Sequence, residues 1–276
     1  MEFHFQRSWH VHVERTTKEI ITSSCHYLDS VEEKTAVLQV RVKDFSIEKA
    51  ELLKLRQAEQ FTETVIHIPE IKGVTAYLGS GPELRKALAP LLSSQERELF
   101  NQCIIGAFQG ETFIFKERGF STAHQYNQAG EEFMLGTCRY YSNLDRITNS
   151  WSDYIGEPER EQYLFNRFKN QQLMATEREY WLIGSLNDTF HQVNTCLRLR
   201  KTDHRVVDAQ GQLLRAPDQV CRESSSYLQD LTGIDILQLD KKELAGRLGA
   251  QNGCVHLIDL VFDSAETLRM YNKTRS

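Results

Sequence analysis

No window of this 276-residue sequence approaches the apolar length of a membrane span, and its opening, MEFHFQRSWHVHVERTTKEI, lacks the apolar core of a signal peptide. The expectation is a cytoplasmic protein with no membrane partner. Charge of one sign does not accumulate either. The 33 basic and 38 acidic residues are interspersed and leave a net charge of -5, which excludes a basic nucleic-acid tail or a polybasic anchor, so no nucleic-acid partner is expected. GxSxG, HExxH, CxxC and dinucleotide fingerprints are all absent. GSGPELRK, residues 79–86, lacks the GKS or GKT of a phosphate loop; its Pro82 and Glu83 suit the first turn of a helix. With six cysteines spread over the chain and no export signal, reduced thiols or a metal site are expected rather than a disulfide framework.

What is present is a globular composition, 40% apolar, 26% charged and 10% aromatic, long enough for two domains of about 100–150 residues each. The sequence also reads twice. Residues 27–62 lie without gaps on 186–221, placing Asp29 on Asp188 and VLQVRV on CLRLRK. Beyond them IKGVTAYL matches LTGIDILQL, PELRKAL matches KELAGRL, and NQCIIGAF matches CVHLIDLV. Identities are few, but order and spacing persist over roughly 100 residues, as a diverged duplication requires.

Periodicity gives each copy strands first and helices afterwards. Alternation at Trp9-Val11-Val13 and over 20–27, 37–42 and 47–55 predicts strands in the first copy. Residues 167–176, 180–186, 195–200 and 205–214 predict them in the second, and helical spacing follows over 218–231, 241–248 and 253–271. The expected fold class is α+β: two tandem similar units, 1–118 and 165–276, each a small antiparallel sheet followed by helices packed on one face. Residues 119–164 form a connector whose aromatic residues predict packing rather than free motion. A duplicated unit suggests an intramolecular pseudo-dimer.

The second copy collects Asp188, Cys221, Cys254 and His256 at element ends, where side chains from different segments converge. A helix N-terminus favours a thiolate, and Gly253 gives the entering backbone freedom to aim Cys254 and His256. Two thiolates, an imidazole and a carboxylate suit zinc and are acceptable to ferrous iron or an iron–sulfur cluster. Asp259, three residues after His256, either orients the imidazole or sits further out. The competing interpretation makes Cys221 and Cys254 small buried hydrophobes and His256 a satisfied core residue. At the matching first-copy positions stand Asp29, Thr62, Asn101 and Cys103, so one site per chain is expected.

LND, APDQVC, LTGI and GCVHLIDLV resemble the bacterial family known as domain of unknown function 2889, in which an Asp-containing turn, an Ala-Pro-x-x-x-Cys segment and a Gly-Cys-Thr-His-Leu-x-x-Leu motif recur in this order. The resemblance covers about 165–272. The first copy resembles the same family through the repeat but departs at Ala58, Thr62 and Asn101. More remotely, cysteine at one helix start and a Cys/His pair at a later one is similar to NifU/IscU-type scaffolds and the SufE-like fold. There the later pair is His-Cys and an additional cysteine is present, so the resemblance implies a mononuclear site more readily than a copied scaffold function.

Other features are weaker. His10-Val-His12 puts two imidazoles on one strand face at a chelating spacing, but Lys169 and Gln171 at the matching positions favour a solvated strand face. Cys25 and His26 point to opposite faces of a strand, and His67 lies in the first copy's helical region without a readable acidic partner. TCRYYSNLDRITNSW, residues 137–151, either lines a pocket for an aromatic or anionic ligand or packs over the domain junction. The reading that results is a cytoplasmic metal-binding protein with one zinc or iron ion in the second repeat, acting as a metalloenzyme on a small-molecule substrate if the metal keeps an open position. Alternatives are a non-enzymatic metal or iron–sulfur carrier, a thiol accessory protein with a protein partner, or a structural interaction domain with no cofactor.

Overall fold

A computed structural model describes residues 1–156 and 159–275; Glu157 and Pro158, within the expected connector, lie outside the described residues. In chain order the elements are strands β1 (Glu2–Arg15), β2 (Ile20–Asp29), β3 (Glu32–Arg41), β4 (Ile47–Gln57) and β5 (Gln60–His67), then helices α1 (Gly81–Leu88), α2 (Ser94–Gly110), α3 (Ala123–Met134) and α4 (Trp151–Ile155). Strands β6 (Tyr163–Ala175), β7 (Glu179–Asp188), β8 (Gln192–Arg200) and β9 (Val206–Arg215) follow, then α5 (Gln219–Arg222), α6 (Lys241–Arg247) and α7 (Val255–Arg275). The class is α+β, with antiparallel pairing of β2 through β5 and of β7 through β9. Among the described residues, no helix is long and apolar enough to cross a membrane.

Packing divides the chain into two compact units whose limits differ from the sequence segments. One comprises Ser8–Tyr126 and Gly156–Phe168; the other comprises Met1–Arg7, Asn127–Ile155 and Lys169–Ser276. The long strands β1 and β6 are the reason, since each supplies one end to either unit. Within the first unit the strand order is β5-β4-β3-β2-β1-β6, and within the second it is β1-β6-β7-β8-β9.

The first unit follows its alternation. Ile21, Ser23, Cys25, Tyr27 and Asp29 of β2 turn inward while His26 is exposed, and α2 covers β2 and β3 with Leu99, Phe100, Cys103 and Ile104. Cys25 and His26 therefore occupy opposite faces, as expected. Strand β5 has no counterpart among the expected strands: its residues are exposed except for a partly covered Ile66, so no buried periodicity announces it. His67 thus sits on a strand, not a helix, and its Nδ1 lies 2.9 Å from Glu51 Oε1. Pro82 does open a helix, α1.

In the second unit α7 packs on β7 and β8. Its inner face is partly polar: Lys169 Nζ meets Asp263 Oδ2 at 2.6 Å, Gln171 Nε2 donates to Leu260 O at 2.9 Å, and Ser264 Oγ donates to Gln171 Oε1 at 2.9 Å. Lys169 and Gln171, the positions matched with His10 and His12, therefore give no support for a solvated face there; they are 4% and 0% exposed because the helix lies over them. Both units also turn alike after their third strand. Phe45 and His204 take left-handed φ of 58° and 55°, and the next residues, Ser46 and Arg205, make isolated bridges to Thr75 and Asp235.

The start of α2 supplies a stability test. Glu96 closes a capping box with Ser93, and its Oε1 meets Lys54 Nζ at 2.8 Å and Lys34 Nζ at 3.5 Å. Burial opposes its ionisation, yet the hydrogen bonds from Lys54 and Ser93 and the charge of Lys34 bring the carboxyl down from 4.5 to about 2. A depressed folded-state pKa stabilises above the unfolded value and is lost as pH falls through the folded one. Glu96→Gln should cost about 1–2 kcal/mol at pH 7, allowing for screening by water-facing lysines. In denaturant unfolding the difference from wild type should shrink between pH 4.5 and 2; a constant difference contradicts the assignment.

Candidate metal centre

The site begins with a turn. Asp188 ends β7 with its side chain fully buried, and its Oδ1 accepts hydrogen bonds from the backbone N–H groups of Phe190 at 2.8 Å and His191 at 2.6 Å. Arg215 Nη2 donates to Asp188 O at 2.5 Å and fixes the turn from the β9 side. A carboxylate that closes a turn in this way places the residue three positions on beside itself. That residue is His191, whose Nδ1 lies 3.2 Å from Asp188 Oδ1.

The second half of the site is the start of α7. Gly253 does not serve here through conformational freedom: its φ of -94° and ψ of 176° are open to any residue. It serves through space, since a Cβ would stand 1.9 Å from Leu248 O. Cys254 follows, the nearby backbone N–H groups of Leu257 and His256 favouring its thiolate, and His256 occupies the first turn. His256 packs against His191 with ring centroids 4.1 Å apart.

Together these bring one ligand atom each from Asp188, His191 and His256 within 4.8 Å of one another. Two of the four residues expected from the sequence, Asp188 and His256, thus meet in the group. Cys254 flanks it, with Sγ 3.9 Å from His256 Nδ1. Cys221 lies at the start of α5, buried, and is not among the converging atoms.

The expectation of lowered thiol pKa values at helix starts is corrected. Burial pushes Cys221 up to about 12, assisted by Cys138 and by the negative charge of Asp218, and burial likewise pushes Cys254 to about 12 against its two backbone hydrogen bonds. At 8% and 7% exposure, these thiols lose more solvation on ionising than the helix ends return. Asp259 Oδ1 pairs with Lys241 Nζ at 2.7 Å. Burial opposes ionisation of Asp259, but Lys241 and Lys169 outweigh it and hold the carboxyl below its ordinary value.

The 127–155 part of the connector braces the starts of α5 and α7. Arg139 N donates to Gly253 O at 2.9 Å and its Nε to Val220 O at 2.9 Å, while Ser142 Oγ donates to Gln251 O at 2.7 Å. Asp218 Oδ2 accepts from Thr148 N at 2.9 Å and Asn149 N at 3.0 Å. Trp151 packs edge-on against Phe190 at 4.9 Å, and Tyr154 donates its hydroxyl to Phe190 O at 2.5 Å. Packing, as expected of the connector, is observed; Arg139 and Arg146 both pair with Glu223 instead of presenting an anion site.

His191 is the member of the group that sequence reasoning misses. Its signal is Asp-Thr-Phe-His across a strand-ending turn, and the aligned first-unit position carries Glu32. There Asp29 closes the same turn, its Oδ1 accepting from Val31 N and Glu32 N at 2.7 Å. The aspartate is therefore explained by the turn in both units, and the imidazoles are what the second adds. Thr62, aligned with Cys221, stands on exposed β5, and Asn101 and Cys103, aligned with Cys254 and His256, lie in the middle of α2 rather than at a helix start.

Residues 168–269 match the model of a family described as protein of unknown function (DUF2889), a span that contains all of Asp188, His191, Cys221, Cys254 and His256. No curated protein and no solved structure matches the chain.

The close approach at Gly253 predicts that Gly253→Ala destabilises the protein by about 1–3 kcal/mol or more, because the obstructing atom is a backbone carbonyl. Gly246→Ala in α6, where nothing lies within 4 Å of the added Cβ, should be neutral or stabilising by up to about 1 kcal/mol. Equal melting shifts in the two variants would contradict this role for Gly253.

Proposed function

We propose that the second unit binds a single zinc or ferrous ion through His191, His256 and a carboxylate oxygen of Asp188, with Cys254 as the adjoining fourth donor. The observation that carries this reading is the convergence of those three side chains within 4.8 Å. Donors around a zinc ion at about 2.0–2.2 Å stand little more than about 3 Å from one another, so binding requires a contraction of about 1 Å. Two imidazoles and a carboxylate suit either ion and leave a position for water or substrate when Cys254 stands off; with Cys254 bound a tetrahedral ion is closed. The 3.2 Å between Asp188 Oδ1 and His191 Nδ1 is already close to the spacing of two donors on one ion.

The chemistry offered is polarisation of a substrate oxygen or activation of a bound water. Cys254 keeps its proton until an ion displaces it, so its participation makes affinity rise with pH. Cys221 has the weaker claim as a ligand and acts in this reading as a buried thiol beside the site. The shared Asp29 and Asp188 turns and the matching Phe45 and His204 turns support descent of the two units from one ancestor, with the imidazole pair acquired or retained in only one.

Protein produced without a histidine tag, reconstituted anaerobically with zinc or ferrous iron and dialysed, should retain about one equivalent. His256→Ala and His191→Ala should each lower that retention at least tenfold while leaving the circular dichroism spectrum unchanged. Cys221→Ala should retain the metal. An unmodified protein that retains none, or histidine variants that bind as wild type does, would overturn the reading.

A further inference from the structure

The first unit carries a second group of imidazoles, unrelated to the Asp188 turn. Along β1, Trp9, Val11 and Val13 are buried, so His10 and His12 lie on the opposite face of the sheet. Both are half-buried, which corrects their expected setting on a solvated face. His10 Nε2 lies 3.1 Å and His12 Nδ1 2.9 Å from the same atom, Asn166 Oδ1 on β6. Two ring nitrogens thus converge on one oxygen.

The rings are held in this attitude. Phe168 stacks on His10 at 4.2 Å with planes 5° apart, Tyr163 flanks His12 at 5.9 Å, and His26 of β2 stacks parallel to His10 at 6.4 Å. The His10 and His12 centroids are 5.9 Å apart. Two imidazoles on one tetrahedral ion, with metal–nitrogen bonds of about 2.0–2.1 Å, place their centroids about 5 Å apart. A small rotation closes the difference. Glu14 Oε2 already stands 3.7 Å from His12 Nε2, where a carboxylate behind a metal-bound imidazole belongs.

We propose that His10 and His12 chelate one divalent transition-metal ion of the zinc, nickel or copper class on this sheet face, with Asn166 Oδ1 beside the ion. The ion takes the place of the two protons now directed at Asn166. Each proton moves to the other nitrogen of its own ring, so both imidazoles stay neutral and His12 Nε2–H turns to Glu14. The strand spacing and the ligand type favour copper over nickel and zinc in the usual order of affinity. This site is independent of the one in the second unit.

The test is a zinc titration of the full chain, free of tags and stripped of metal, against a chromogenic competitor. A saturable equivalent that exchanges on dialysis, additional to the one retained at the Asp188 site, is expected to survive Asp188→Ala/His256→Ala and to weaken at least tenfold in His10→Gln/His12→Gln; Glu14→Gln should weaken it severalfold. Glutamine keeps a hydrogen-bonding partner for Asn166. Should the His10→Gln/His12→Gln variant not fold, the copper-loaded His191→Ala/His256→Ala protein, which lacks the other imidazole pair, should show electron paramagnetic resonance splittings from two or more imidazole nitrogens. No such equivalent, or one indifferent to His10 and His12 with no nitrogen splittings, would overturn the proposal, whatever the outcome at the Asp188 site.

Discussion

The candidate centre depends on one carboxylate oxygen. Asp188 Oδ1 gathers two backbone N–H groups and an imidazole nitrogen, and hydrogen bonds to a charged acceptor contribute about 1.5–3 kcal/mol each. That geometry sets the β7–β8 turn, and the turn sets His191. Without it the histidine would be one more residue of a strand end, with no reason to face the first turn of α7. The same oxygen therefore links local chain reversal to the chemistry of the site.

The other half rests on close packing. Gly253 lets the chain pass under Leu248 O, and α7 then begins so that His256, in its first turn, packs against His191. The connector hydrogen-bonds the same segment at Gly253 O and Gln251 O. Two loops and one helix end are consequently tied to a common position, which is the kind of rigid support a ligand set needs. Burial keeps Cys221 and Cys254 protonated, so their reactivity is that of shielded thiols until an ion competes for the sulfur.

Much of this is legible in the sequence. Alternation places eight of the strands, and the 3.6-residue period places α6 and α7, because burial on one face leaves a periodic trace. Strand β5 leaves none, being almost wholly exposed. The inner face of α7 is hidden by its partners: Lys169 and Gln171 are polar yet buried, and only the helix above them makes that tolerable through Asp263, Ser264 and Leu260 O. Asp188 and His256 are recognisable by residue type at element ends. His191 is not, since its role comes from a turn geometry rather than from a motif, and Cys221 attracts too much weight because proximity in the fold is not convergence of donor atoms.

The most direct test of the centre is the long-range proton–nitrogen spectrum of the imidazoles as zinc is added to the metal-free protein. By one equivalent, the ring nitrogens of His191 and His256 should shift together to the values of metal-bound imidazole. Those of His204, which closes a surface turn, should stay in place. If His191 and His256 keep their metal-free signals while zinc is taken up elsewhere, the assignment of the centre is wrong.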